Sequence, residues 1–213
     1  TCIIDTNSSR DCSNPTDESA DYICTANVQF FADPTDTNVQ YSAQTWLASV
    51  SAKSGSSTPG VGHLSTGIEM NSLAALAVSP SMITYGTLLA GQSNGTLNTV
   101  ITSISKGNVP IHQRVQGDGP SMCTDFFAVP NCQGGTPIPV GNQKYSLASG
   151  TGYNDSAAVS LTTNPDLVLI NTPKPTSTTP ASKNTWWGVK IPNTALIGEY
   201  DGRVFVTPVK INQ

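Results

Sequence analysis

An all-β molecule built as an antiparallel β-sandwich is the fold that this sequence predicts, on three observations. Apolar and polar residues alternate with a period of two in most segments, clusters of Gly, Pro, Asn and Ser separate them every ~8–15 residues, and no convincing amphipathic helix interrupts the pattern. The 213 residues suffice for one large β-domain or two smaller ones. The expected division is a small N-terminal β region over residues 1–66, with a polar, Cys-containing start, and a larger sandwich over residues 67–213.

Residues 1–22 are too polar to build a core of their own. Cys24, Ala26, Val28 and Phe30 then alternate with Thr25, Asn27, Gln29 and Phe31, and Trp46, Ala48 and Val50 with Leu47, Ser49 and Ser51; both stretches read as half-buried strands. A Gly/Ser/Pro break covers 54–62. The apolar stretch 68–78 reads as one or two strands, with a helix over 70–77 as the competing reading. Residues 99–105 form a strand, followed by a turn through Gly107-Asn108-Val109-Pro110. Gly86 and Gly91 fit positions of positive φ, while Pro80 and Pro110, lacking an amide donor, belong on edges or strand ends. A long loop region is expected from 115 to 141, then strands at 144–148, 157–162 and 166–170. The Pro/Ser/Thr-rich stretch 171–184 reads as an exposed connector. Trp187, Val189 and Ile191 share one face of the next strand, and a last strand over 203–211 is interrupted by Pro208.

Charged residues make up only 11% of the chain and the net charge is −4, against about 25% charged residues in ordinary soluble domains. Its surface is therefore dressed in hydroxyls and amides. Lysines such as Lys174, Lys183 and Lys190 stand apart and form no basic stripe, which excludes nucleic acid as an expected partner. No apolar run approaches the roughly 18 residues of a spanning helix. Thr1 in place of an initiator Met leads us to expect a cleaved leader or a longer precursor.

Five cysteines in this setting suggest an oxidising, extracellular or cell-surface location. There is no CxxC or CxxCH, so zinc, thioredoxin-like redox chemistry and covalent haem are disfavoured. Cys123 and Cys132 flank a Pro/Gly-rich loop and form the first candidate disulfide; Cys2 with Cys12 is the next local pair, leaving Cys24 odd. Sequons at Asn7, Asn94 and Asn154 are candidate glycosylation sites.

The stretch 76–117, with Val78-Ser79-Pro80, Tyr85-Gly86-Thr87-Leu88, Gly91 and then Gly107-Asn108-Val109-Pro110-Ile111, resembles the repeated immunoglobulin-like surface domains of secreted bacterial and archaeal proteins. Trp186-Trp187-Gly188-Val189-Lys190-Ile191-Pro192, a Gly-containing turn and Tyr200 onward are similar to their closing hairpin. Phe30-Phe31-Ala32-Asp33-Pro34-Thr35-Asp36 looks like the segment that ends a preceding domain in large bacterial surface proteins. This resemblance implies an immunoglobulin-like sandwich and a location outside the cell, and says little about activity.

Reactive constellations are sparse. His63 and His112 are the only histidines and nothing in the sequence brings them together. No GxSxG elbow occurs, and Glu18, Glu69 and Glu199 suggest no paired-carboxylate site; we expect no enzyme. Asp33 and Asp36, with Asp17, Glu18 and Asp21 in reach, are the one candidate site for Ca²⁺, against a reading in which they cap a turn. Adjacent tryptophans on a strand face opposite ways, so Trp187 is expected in the core and Trp186 outside. The expected function is that of an extracellular structural subunit, assembling with copies of itself into a filament, pilus or surface layer by β-strand complementation, with 1–11 or 204–213 as the donated segment. The alternative is a carbohydrate-binding or adhesive module that stacks glycans on Trp186, Tyr153 and Tyr41.

Overall fold

The computed structural model describes residues 1–11, 13–14, 19–52, 60–126, 132 and 136–212. Among these the regular elements are β-strands and one short 3-10 turn, Val140–Asn142, with no α-helix. The stretch 68–78 thus holds extended chain and a strand, and not the competing helix over 70–77. Every strand pairing is antiparallel. The chain divides into two compact units, Thr1–Phe30 and Phe31–Gln213.

The first unit is a hairpin of β1 (Cys2–Ile4) and β2 (Tyr22–Cys24). Cys2 lies directly opposite Cys24, and the two form a disulfide, Cα–Cα 4.0 Å. Cys24 is therefore not the odd cysteine. It takes the place expected of Cys12, which lies outside the described residues, because strand pairing brings residues 22 apart face to face. Residues 25–29 do not extend β2 as a strand; the ladder ends one bond later, where Thr25 N–H donates to Thr1 O at 2.8 Å. Ile3, Ile4, Tyr22 and Ile23 are all exposed.

The second unit contains β3 (Ser49–Ala52), β4 (Gly60–His63), β5 (Leu76–Ser79), β6 (Thr99–Ser105), β7 (Ile111–Gly117), β8 (Ser121–Met122), β9 (Ile138–Pro139), β10 (Gln143–Ser146), β11 (Val159–Ser160), β12 (Asp166–Thr172), β13 (Ser182–Val189) and β14 (Val204–Lys210). A five-stranded sheet has the order β11-β10-β13-β6-β5 and a three-stranded sheet the order β12-β7-β14; β3–β4 and β8–β9 are separate pairs. Ile101, Tyr145 and Trp187 from the larger sheet meet Val115, Val168 and Ile170 from the smaller in one buried cluster, an arrangement consistent with a β-sandwich. The period of two puts these residues there: in β6, β7 and β12 every second side chain is buried.

That interior is partly polar. Ser103, Ser105, Gln113, Thr172 and Thr185 are buried on the same alternating positions. Ser103 Oγ donates to Gln113 Oε1 at 2.6 Å across the sheets, whereas Ser105 Oγ, Gln113 Nε2 and Thr172 Oγ1 have no protein partner. Each such atom carries a desolvation cost of about 1–3 kcal/mol.

Three boundaries differ from the sequence expectation. The compact units meet at Phe30/Phe31, not at 66/67, because residues 33–46 are bonded into the larger unit: Thr35 N–H donates to Met70 O at 2.8 Å, Trp46 and Ile68 exchange both backbone bonds, and buried Val39 packs on Val109 and Ile111. The 171–184 connector is not uniformly exposed, since β12 runs to Thr172, Pro175 is fully buried and β13 begins at Ser182. Pro208 does not interrupt the last strand; β14 lies on a sheet edge, where a missing amide donor costs the ladder nothing.

Two glycines fix the local path. Gly86 and Gly91 have φ of 76° and 82°, which L-residues rarely adopt.

Candidate functional site: an aromatic cleft beside an ion pair

Asp33, Pro34, Asp36 and Asn38 disfavour a regular strand, and residues 31–46 run instead as a looped strap with consecutive turns, Ser42 N–H to Val39 O at 3.3 Å and Gln44 N–H to Tyr41 O at 2.9 Å. Asn38 takes φ 61°, a conformation Asn tolerates better than most residues. The strap is held at its middle by Lys210, whose Nζ donates to Thr37 O and to Ser72 Oγ, both at 2.8 Å.

Asp36 belongs to this clasp. Ser72 Oγ donates to Asp36 Oδ1 at 2.6 Å, and Lys210 Nζ lies 3.7 Å from Asp36 Oδ2. The Ser72 hydrogen bond, with a smaller contribution from the Lys210 charge, holds the Asp36 carboxyl below its ordinary value of 3.8 against the opposing effect of burial. A depressed folded value means that the contact contributes stability above the ordinary carboxylate range and loses it as pH falls through the depressed value. Asp36→Asn is expected to remove that part of the acid dependence, read as a flatter unfolding midpoint in a series of melts from pH 5 to pH 2.

Asp33 is likewise paired, with Lys174. The two acidic residues read as metal ligands thus each face a lysine, and no group of three or more metal-ligating His, Cys, Asp or Glu side chains occurs among the described residues. Asp17 and Glu18 lie outside them.

The strap and the Lys174 segment enclose an open cleft of about 540 Å³ lined by Phe31, Asp33, Tyr41, Trp46 and Lys174 among others. Trp46, expected on a half-buried strand, is its most exposed aromatic residue, at 44%. Its ring is fixed: the indole Nε1–H donates to Asp33 O at 2.8 Å, and both backbone bonds of Trp46 go to Ile68. Tyr41 is half-buried on the same wall. Asn108 is buried beneath, with both amide ends used: Oδ1 accepts Leu73 N–H at 2.6 Å and Nδ2 donates to Asn71 O at 3.0 Å.

The other stacking candidates fare differently. Tyr153 is 4% exposed, and its hydroxyl donates to Asn142 O at 2.8 Å; its ring lies under Lys144 Nζ, 4.8 Å from the centroid. Trp186 is half-buried because Leu97, Tyr153 and Ala158 pack against it. Neither offers an open face, and neither lines the cleft with Tyr41. Trp187 is fully buried, with Nε1–H donating to Thr185 Oγ1 at 2.8 Å. Burial pushes the phenols of Tyr85, Tyr145 and Tyr153 above their ordinary value, so they stay protonated near neutral pH, and those of Tyr85 and Tyr153 donate to Gln143 Oε1 and Asn142 O.

Cys123 and Cys132 form the second disulfide. Asn7 and Asn154 are exposed. Asn94 is not free to carry a sugar: its Nδ2, the nitrogen that would be glycosylated, donates to Tyr85 O at 3.2 Å, and its Oδ1 accepts Val189 N–H at 2.7 Å. His112 Nδ1 accepts Asn171 N–H at 3.4 Å, while His63 ends β4 opposite Ser49.

Trp46, Phe31 and Lys174 escape sequence reasoning. The available signal was an aromatic residue in a Pro/Asp-rich neighbourhood, but the partner lysine lies 141 residues from Asp33. No protein-family model matches the chain, and neither the curated proteins nor the solved structures contain a significant match.

Proposed function

We propose that the chain is a non-catalytic structural subunit of the cell exterior that assembles with copies of itself through an open sheet edge. One observation carries the reading: β12 is seven residues long, pairs with β7 alone, contains no proline, and exposes Leu167 and Leu169 at 50% and 56%. Long apolar edges of this kind invite another strand, and proteins that remain separate blunt them. The other edges of the two larger sheets are shorter or interrupted: β11 has two residues, β5 has four and is followed by Pro80, and β14 offers Val204 to Thr207 before Pro208. In β12 the register irregularity between Val168 and Thr172 and the φ of 51° at Asn171 depart from a flat edge.

Neither of the segments 1–11 and 204–213 is wholly free to be donated. Residues 204–210 are engaged as β14 along the whole of β7, and residues 2–4 pair with β2. Edge-to-edge addition of β12 onto β14 of the next copy fits better, using Val204 to Thr207 before the proline. That contact is heterologous, and with a rotation that does not close a ring it repeats and grows a filament. A chain with only 11% charged residues opposes such contact weakly. Two disulfides suit an oxidising compartment, and among the described residues no helix is long and apolar enough to cross a membrane. An immunoglobulin-like strand order for the sandwich belongs to the same proposal. A second reading, glycan binding, is favoured by the cleft at Trp46.

Sedimentation velocity tests the assembly. The intact protein is expected to form open-ended oligomers that grow with concentration, and Leu167→Lys with Leu169→Lys to shift the distribution to monomer without changing the melting temperature by more than about 2 °C, as surface substitutions do. A wild-type chain that stays monomeric at millimolar concentration, or stops at dimers, contradicts the filament.

A further inference from the structure

We infer that the cleft between residues 31–46 and Lys174 is a binding site for a neutral oligosaccharide, with Trp46 as its stacking platform. This goes beyond assembly and does not depend on it, since none of the residues that line the cleft belongs to β12.

The geometry selects the ligand class in three steps. Trp46 is immobilised by its indole bond to Asp33 O and by its backbone bonds to Ile68, yet keeps 44% of its surface open. A ring held in this way loses little freedom when a flat partner covers it. Pyranose rings present an apolar C–H face suited to such a surface, with hydroxyls around the rim. Beside the platform, Asp33 and Lys174 supply a carboxylate acceptor and ammonium donors side by side, the donor and acceptor set that vicinal hydroxyls match. Because the two charges are paired, the cleft holds no net charge from them, and neither an anionic nor a cationic ligand gains over a neutral polyol. The volume of about 540 Å³ lies in the usual range for small-ligand sites, and its open form admits a chain of sugars passing across it.

The aromatic candidates chosen from sequence shared only Tyr41 with this site. Tyr153 is buried and Trp186 is packed against the cluster that contains it, so the structure moves the platform to Trp46.

Calorimetric titration with cellohexaose and chitohexaose, as neutral β-1,4-linked probes, tests the inference on the intact chain. Binding of at least one probe is expected, with affinity reduced about tenfold or more in Trp46→Ala, reduced in Lys174→Met, and unchanged in Trp186→Ala. Should Trp46→Ala fail to fold, Tyr41→Ala decides: a loss of binding supports the site and an unchanged affinity overturns it. No heat with either probe at millimolar concentration, or full binding by Trp46→Ala, overturns the inference. Since oligomer size is read separately by sedimentation, failure here leaves the assembly result standing and the reverse holds as well.

Discussion

Replacing Trp187 by alanine is expected to lower the unfolding free energy of the Phe31–Gln213 unit by about 3–5 kcal/mol, the cost of deleting a large buried aromatic side chain. Trp187 is 1% exposed and sits where the sheets meet, its ring centroid 5.3 Å from that of Tyr145 and its neighbours drawn from both layers. The substitution removes the indole from this cluster and also deprives Thr185 Oγ1 of the donor it accepts at 2.8 Å. Domains of this kind have only about 5–15 kcal/mol in hand, so the variant should lose a large part of its stability. Trp187→Phe retains much of the volume and is expected to cost less. Guanidinium unfolding followed by near-ultraviolet circular dichroism checks both: equal midpoints for wild type and Trp187→Ala would remove Trp187 from the centre of the core.

Removing the Cys2–Cys24 bond has the second large expected effect, confined to the Thr1–Phe30 unit. Its two strands have three residues each and no buried position, and an isolated two-stranded hairpin is marginal in water. Among the described residues the Asp21 cluster adds an exposed ion pair, Arg10 Nη2 lying 2.8 Å from Asp21 Oδ1, and exposed pairs of this kind contribute little. Closing the loop between residues 22 apart is worth about 3 kcal/mol in the chain-entropy account. The Cys2→Ser, Cys24→Ser variant is therefore expected to lose the hairpin, seen as loss of exchange protection at the amides of Asp5 and Thr25, which bond to Asp21 O and Thr1 O. Protection that survives in the variant would mean that the hairpin stands without its disulfide.

The fold class was legible because strand periodicity is local. Which face is buried was not legible in the same way: in β6 Ile101, Ser103 and Ser105 are buried while Val100 is exposed, and in β12 Val168 and Ile170 are buried while Leu167 and Leu169, equally apolar, are not. Partner choice was not legible, since it depends on residues far apart in the chain. Cys2 meets Cys24 through strand register, Trp186 loses its open face to Leu97, Tyr153 and Ala158, and Asp33 meets Lys174 across most of the sequence. The alternation at 24–31 shows the opposite failure: a period of two with no strand beside it at 25–29 yields extended chain and no sheet. The same limit hid the cleft, whose aromatic wall comes from a strap that turn-forming residues keep out of the sheets, while its lysine arrives from the chain between β12 and β13.

Amide hydrogen exchange, compared between dilute and concentrated protein, addresses the assembly most directly. The β12 edge predicts that concentrating the protein slows exchange within Asp166–Thr172 and within residues 204–207, as new interchain bonds cover their outward amides. Exchange in β12 that is unchanged by concentration while oligomers form would contradict it.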